Sequence, residues 1–268
     1  MHGLSARDGE REINWSLTSS DYERWRPDYP ESFYKRLRAF GIGLESQTIL
    51  DLGTGVGFWA RAFARQGASV CGVDISPGQI NEARHRATDE GLTVTFSVAP
   101  AEETGFATAC FDVVTASQCW LYFDASRAIE EVKRLLKPGG HLVTGHFCWV
   151  PDHDPVIAAT EALIKEHNPD WAGGDWDGQV PMVPSWSQDD FSLSGHFVYD
   201  EAIPFTRESW RGRIRASRGI GATLSSAQVE TFDRALEARL ETLVSREFTV
   251  RHRLDVHILT PRAAPPHG

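Results

Sequence analysis

Thr48-Ile49-Leu50-Asp51-Leu52-Gly53-Thr54-Gly55-Val56-Gly57-Phe58 decides the fold of this 268-residue chain. An apolar run ends on an acid, glycines stand at alternate positions 53, 55 and 57, and a helix-forming run follows. The pattern predicts a strand, a tight turn and a helix. Glycine lets such a turn take up left-handed backbone and leaves the space above it open to a ligand. The spacing also excludes a class. The pyrophosphate turn of dinucleotide-binding folds, G-x-G-x-x-G, requires glycine where Phe58 or Ala60 stands.

The downstream elements alternate. A second strand over 69–75 carries Asp74 at its end, at the distance where such folds set an acid on ribose hydroxyls, and Ser76-Pro77 starts a helix over 77–90. A third strand over 94–99 runs into Pro100-Ala101-Glu102, and a fourth over 111–117 into Gln118-Cys119-Trp120-Leu121-Tyr122-Phe123. Apolar residues at 128, 129, 132, 135 and 136 have a helical period, and Lys137-Pro138-Gly139-Gly140 stops that helix before a strand over 141–148.

The D-x-G-x-G-x-G run, the acid ending the second strand and the helix, stop and strand over 125–148 resemble the class I S-adenosylmethionine-dependent methyltransferases. The likeness is strongest over 49–150. Asp21-Tyr22-Glu23-Arg24-Trp25-Arg26-Pro27 is similar to the segment that small-molecule members place before their first helix. A cap followed by a closing pair of strands resembles the methyltransferase type 11, trans-aconitate methyltransferase-like branch. The resemblance implies an α/β fold: a Rossmann-like, doubly wound seven-stranded sheet, mostly parallel with one antiparallel strand, plus a helical cap insertion. The residues predict a sixth strand over 196–205 and a long helix over 225–246, and the resemblance would place the last strand between the fifth and sixth. The cofactor implied is S-adenosyl-L-methionine, held by Tyr22, Arg26, Asp51, Gly53, Thr54, Gly55, Asp74, Ile75, Gln79, Ala101, Glu102, Ser117 and Gln118. One departure is plain: Pro100 occupies the position where the family carries an aspartate for the adenine amino group. The division expected is N-terminal helices over 1–46 covering the cofactor, a binding core over 47–150, a cap over 151–204, and closing helices with the last strand over 205–262.

Composition bounds the partners. A net charge of −10 and a pI near 5.5 argue against a phosphate-gripping surface, so no nucleic acid is expected. No apolar run is long enough for a membrane span, and 1–10 has no signal-like core, so a soluble cytoplasmic protein, monomer or homodimer, is expected. The cysteines at 71, 110, 119 and 148 have no C-x-x-C spacing and read as reduced thiols, with no metal site.

The expected chemistry is methyl transfer to an O, N or C nucleophile of a small organic molecule. Orientation alone supplies roughly 7 to 11 kcal/mol, so a base is optional. The base candidates are His146, near the carboxyl end of the fifth strand, and His153 just beyond it, each against an ordinary structural role. The chain has nine tryptophans, of which Trp25, Trp120, Trp149 and Trp176 are candidate acceptor walls. Arg211, Arg215 and Arg218 share one helix spacing; Arg211 is the candidate anion contact, against a solvated face paired with acids. Glycine and proline over 173–184 read as hinges of a lid. A cofactor-binding protein without turnover and a nicotinamide oxidoreductase are the alternatives.

Overall fold

A computed structural model describes residues 7–8, 11–14, 17, 21, 24–151, 154–171, 173 and 176–262. Seven strands form one sheet: β1 (Thr48–Leu52), β2 (Ser69–Asp74), β3 (Val94–Val98), β4 (Phe111–Ser117), β5 (Leu136–Trp149), β6 (Phe191–Thr206) and β7 (Glu247–Pro261). The helices are α1 (Glu31–Ala39), α2 (Phe58–Arg65), α3 (Pro77–Asp89), α4 (Ala125–Leu135), α5 (Pro155–His167), α6 (Arg207–Arg215) and α7 (Ser226–Leu243).

The strand order is β3-β2-β1-β4-β5-β7-β6. Neighbours among β1 to β5 pair in parallel, while β7 runs antiparallel to both β5 and β6. The single antiparallel strand therefore sits between the fifth and sixth, where the resemblance put it. The order of connection reverses between β1 and β4, and this opens a crevice at their carboxyl ends, the usual ligand position in open α/β sheets.

Both faces of the sheet are covered, so the strands are nearly continuous in apolar residues. Ile49, Val113, Val143 and Ile258 face one core with Phe33, Trp59, Phe63, Trp210 and Leu236. Their neighbours Leu50, Val114, Leu142 and Leu259 face the other, against Ile129, Val132 and Leu135 of α4. The period-2 alternation of the strands thus divides helices α1 to α3 and α5 to α7 from α4.

Three boundaries differ from the sequence reading. The Lys137 to Gly140 stop lies inside β5: Leu136 pairs with Phe111 before a register shift, and the Lys137 ammonium reaches Asp112 and Thr48 at 2.9 Å, holding the segment extended. Strand β6 begins at Phe191, five residues before the expected start at 196, because its pairing with β7 continues to Pro261. Helix α7 stops at Leu243, since Val244 is extended and its carbonyl accepts from the Arg207 guanidinium at 3.1 Å.

Candidate active site

The turn after β1 is built by its own residues. Gly53, Gly55 and Gly57 all take left-handed φ values, 57°, 55° and 79°. A Cβ on Gly53 would lie 2.8 Å from the Cys119 sulfur, so this position admits no larger residue without displacing the wall behind it. Beneath the turn Asp51 is buried, accepting from the Thr54 hydroxyl at 2.7 Å and the Thr115 hydroxyl at 2.6 Å. Burial, helped by the charge of Asp74, raises its pKa to about 6, against the two hydroxyls. Asp51 and Thr54 fasten the turn from below and do not line the crevice.

Asp74 ends β2 and reaches over. One carboxylate oxygen accepts from the Gly55 amide at 3.0 Å and the other from Ser76 at 2.8 Å. Burial raises its pKa and the two amides oppose the rise. Each oxygen keeps acceptor capacity toward the open side.

A cavity of about 480 Å³ opens here. Of the expected cofactor residues, Arg26, Gly53, Gly55, Asp74, Ile75, Gln79, Ala101, Glu102, Ser117 and Gln118 line it. Tyr22 lies outside the described residues. Gln79 is buried at its edge, and among the described residues its side-chain oxygen has no hydrogen-bond partner. Glu102 also lines it, while accepting the Asp124 amide at 2.8 Å ahead of α4. Gln118 has a left-handed φ of 63°, held by its amide to the Gly145 carbonyl at 3.0 Å and its side chain to the Phe147 carbonyl at 2.6 Å. Such a strained backbone at a strand end occurs where geometry is over-determined.

The other end of the same cavity is built by later elements: Trp149 and Cys148 from β5, Glu161 from α5, Trp171 and Trp176 beyond it, and Arg213 and Arg218. Trp149 and Trp176, two of the candidate walls, line this end. Trp120 does not; it is buried and stacked on Trp186 at 4.2 Å, filling the core beside α4. Trp25 packs on α6 instead, so close that a Cβ on Gly212 would lie 2.2 Å from its ring. Arg211 also faces away from the cavity, its guanidinium engaged by Asp233 and Glu237 of α7, and Arg215 joins Asp21 at 3.0 Å and Asp233 at 2.6 Å. Both arginines are half-buried and paired with acids on that face. Arg213, on the opposite side of α6, is the inward one and was missed, because only the distant acids Asp21, Asp233 and Glu237 reveal which arginines turn outward.

His146 does not line the cavity. Its Nδ1 lies 3.0 Å from the buried carboxylate of Asp255 on β7. Burial lowers the imidazole pKa, but the Asp255 hydrogen bond and charge outweigh it and leave it above its ordinary value. A neutral ring donating Nδ1–H to Asp255 presents Nε2 as acceptor. His153 lies outside the described residues. All four cysteines are free. Among the described residues no group of three His, Cys, Asp or Glu side chains is arranged for a metal, and no helix is long and apolar enough to cross a membrane.

Comparison with known proteins identifies this architecture. Residues 50–144 match the family described as a methyltransferase domain. The chain is 31% identical over 175 residues to the aklanonic acid methyltransferase DauC of Streptomyces sp. (strain C5), spanning 56% of this chain and 80% of that one. It is 38% identical over 117 residues to the demethylmenaquinone methyltransferase of Thermus thermophilus, spanning 42% of this chain but 53% of that relative. Among solved structures, YjhP from E. coli aligns over 92% of this chain and 99% of its own at a TM-score of 0.58 and 22% identity, a likeness of fold. Haemonchus contortus phosphoethanolamine N-methyltransferase 2, solved with S-adenosyl-L-methionine, aligns over 91% of this chain and 57% of its own at a TM-score of 0.53 and 19% identity. With the turn, the strand order and a relative matched over four-fifths of its length, the chain belongs to the class I S-adenosylmethionine-dependent methyltransferases.

Proposed function

We propose that this enzyme methylates an O, N or C nucleophile of a small organic acceptor held in the cap half of the cavity, chiefly by positioning it. The observation that carries the reading is that one continuous cavity joins the Asp74 turn to the tryptophan and arginine wall. The cofactor, S-adenosyl-L-methionine, supplies when bound an electrophilic methyl group on a sulfonium sulfur.

The chain's own residues suit that cofactor. Asp74 would take the ribose hydroxyls, since a carboxylate with an open lone pair on each oxygen accepts from two adjacent donors. Ile75 and Ala101 would flank the adenine. Pro100 offers no side-chain acceptor and Glu102 is shared with the Asp124 amide, so the base would be held mainly by apolar contact. Ser117, Gln118 and the glycine-turn amides would meet the amino-acid end, with Arg26 pairing its carboxylate. Residues 47–150 would then form the cofactor-binding core and α5 with the described segment 176–190 its cap, while 191–206 belong to the sheet as β6.

At the acceptor end the tryptophans exclude water and fix orientation, which suffices for a substantial part of the rate. His146 is held on Asp255 outside this cavity, so the reading rests on positioning rather than on a base. Relatives named for aklanonic acid and for demethylmenaquinone support a small-molecule acceptor. The four free thiols agree with a cytoplasmic setting. The test is turnover: incubation with the cofactor and fractionated small metabolites should yield S-adenosylhomocysteine together with a product heavier by one methylene. Cofactor binding without turnover on any fraction would favour a binding-only protein.

A further inference from the structure

The face of β4 that supports the glycine turn continues to the cavity. Side chains alternate along a strand, so Thr115, bonded to Asp51, and Ser117 two residues later share one face. Ser117 lines the cavity, and its hydroxyl oxygen lies 2.7 Å from the hydroxyl of Tyr29. Tyr29 does not line the cavity. It is only 6% exposed, and its ring packs on Phe33, Trp59 and Phe147 with centroids 4.6, 5.4 and 5.0 Å apart.

Backbone and ring contacts hold the phenol in place. The Tyr29 amide donates to Asp28 at 2.7 Å, and the same carboxylate oxygen accepts from the Tyr34 hydroxyl at 3.2 Å. Phe147, against which the Tyr29 ring lies, gives its carbonyl to the Gln118 side chain at 2.6 Å. Tyr29 therefore bears directly on Ser117 and, through Phe147, on Gln118, the two cavity residues where β4 ends.

We infer, resting on the methyltransferase reading above, that Tyr29 is a positioning residue for the cofactor's amino-acid end: its hydroxyl donates to Ser117 and so turns the Ser117 hydrogen toward the cofactor's carboxylate. The inventory of donors requires this order. An ionised carboxylate only accepts, so Ser117 must donate to it, and the Ser117 oxygen is then left to accept from Tyr29. Two hydroxyls donating in sequence onto an anion polarise one another, which strengthens both bonds in a partly buried site.

Calorimetry on the full chain tests this with three ligands: S-adenosylhomocysteine, its decarboxylated amine S-adenosyl-3-thiopropylamine, and 5′-methylthioadenosine, which lacks both charged groups. Tyr29→Phe keeps the ring and removes the hydroxyl. It should weaken S-adenosylhomocysteine about fivefold, the scale of one hydrogen bond, and leave the other two ligands within about twofold of wild type. Ser117→Ala should weaken S-adenosylhomocysteine at least as much, again without affecting the other two, and adding Tyr29→Phe to it should change nothing further, because both act through one bond. The ligand comparison in Ser117→Ala, at a partly exposed strand end, stands by itself where Tyr29→Phe does not fold. An unchanged S-adenosylhomocysteine affinity, losses that add in the double variant, or an equal loss for the amine overturns the inference. Equal weakening of all three ligands would make Tyr29 a packing residue only and overturns it too. Failure of S-adenosylhomocysteine to bind the wild-type protein would instead overturn the cofactor reading beneath it.

Discussion

Replacing Asp74 with alanine isolates the interaction on which cofactor binding rests. The carboxylate already spends one acceptor site per oxygen on the Gly55 and Ser76 amides, at 3.0 and 2.8 Å, which fixes its remaining lone pairs toward the cavity. Two ribose hydroxyls would donate to these, and exchanging a hydrogen bond to a charged group for one to water costs roughly 1.5 to 3 kcal/mol. In the variant the hydroxyls regain water, so the net loss should be about 1 to 3 kcal/mol, or roughly 5- to 150-fold in Kd for S-adenosylhomocysteine. The variant also strands two backbone amides, so its melting temperature should fall, and calorimetry should be run well below it. Asp74→Asn, which keeps one acceptor oxygen, should lie between. A folded Asp74→Ala protein with wild-type affinity would refute the ribose assignment.

Three further outcomes are expected. Alanine at His146 or at His153 should lower turnover by about 10²-fold in at most one case, with cofactor affinity intact, whereas full activity in both variants would leave positioning as the only device. His252 has its pKa lowered from 6.5 to about 3, chiefly by burial, so its protonation favours the unfolded chain; stability should be complete above pH 6.5 and fall by about 2 kcal/mol by pH 5. His252→Phe, set among Phe147, Phe205 and Trp210, should flatten that part of the acid-denaturation curve, and an unchanged slope would assign the loss elsewhere. Hydrogen exchange in 170–190 should slow further when S-adenosylhomocysteine and acceptor are both bound; equal protection with and without them would make the cap a rigid wall.

That last expectation shows how a sequence signal and a fold can diverge. Glycine and proline over 173–184 read as hinges, yet Gly178 accepts from Arg253 at 2.6 Å, Pro181 from His257 at 2.8 Å, and Trp186 stacks on Trp120. Side chains from β7 and from the end of β4 anchor what composition alone describes as loose. The cofactor half was legible because it is local: the turn, Asp74 and the alternating elements are each written within a few tens of residues. The acceptor half was not. Helical spacing grouped Arg211, Arg215 and Arg218, but the acids Asp21, Asp233 and Glu237 draw 211 and 215 outward, leaving Arg213 and Arg218 on the cavity. The burial of Asp51 under Thr54 and Thr115 depends on β4 lying beside β1, which no local pattern shows. Trp120 was placed at the right strand end, but its partner Trp186 lies in a segment whose path no periodicity reveals.

The central claim is that one cavity holds cofactor and acceptor end to end, and a crystal structure with S-adenosylhomocysteine and a bound acceptor tests it most directly. The account predicts the ribose on Asp74, the adenine between Ile75 and Ala101, and the sulfur facing the Trp149 side of the cavity. Adenosine bound away from Asp74, or an acceptor seated outside this cavity, would contradict it.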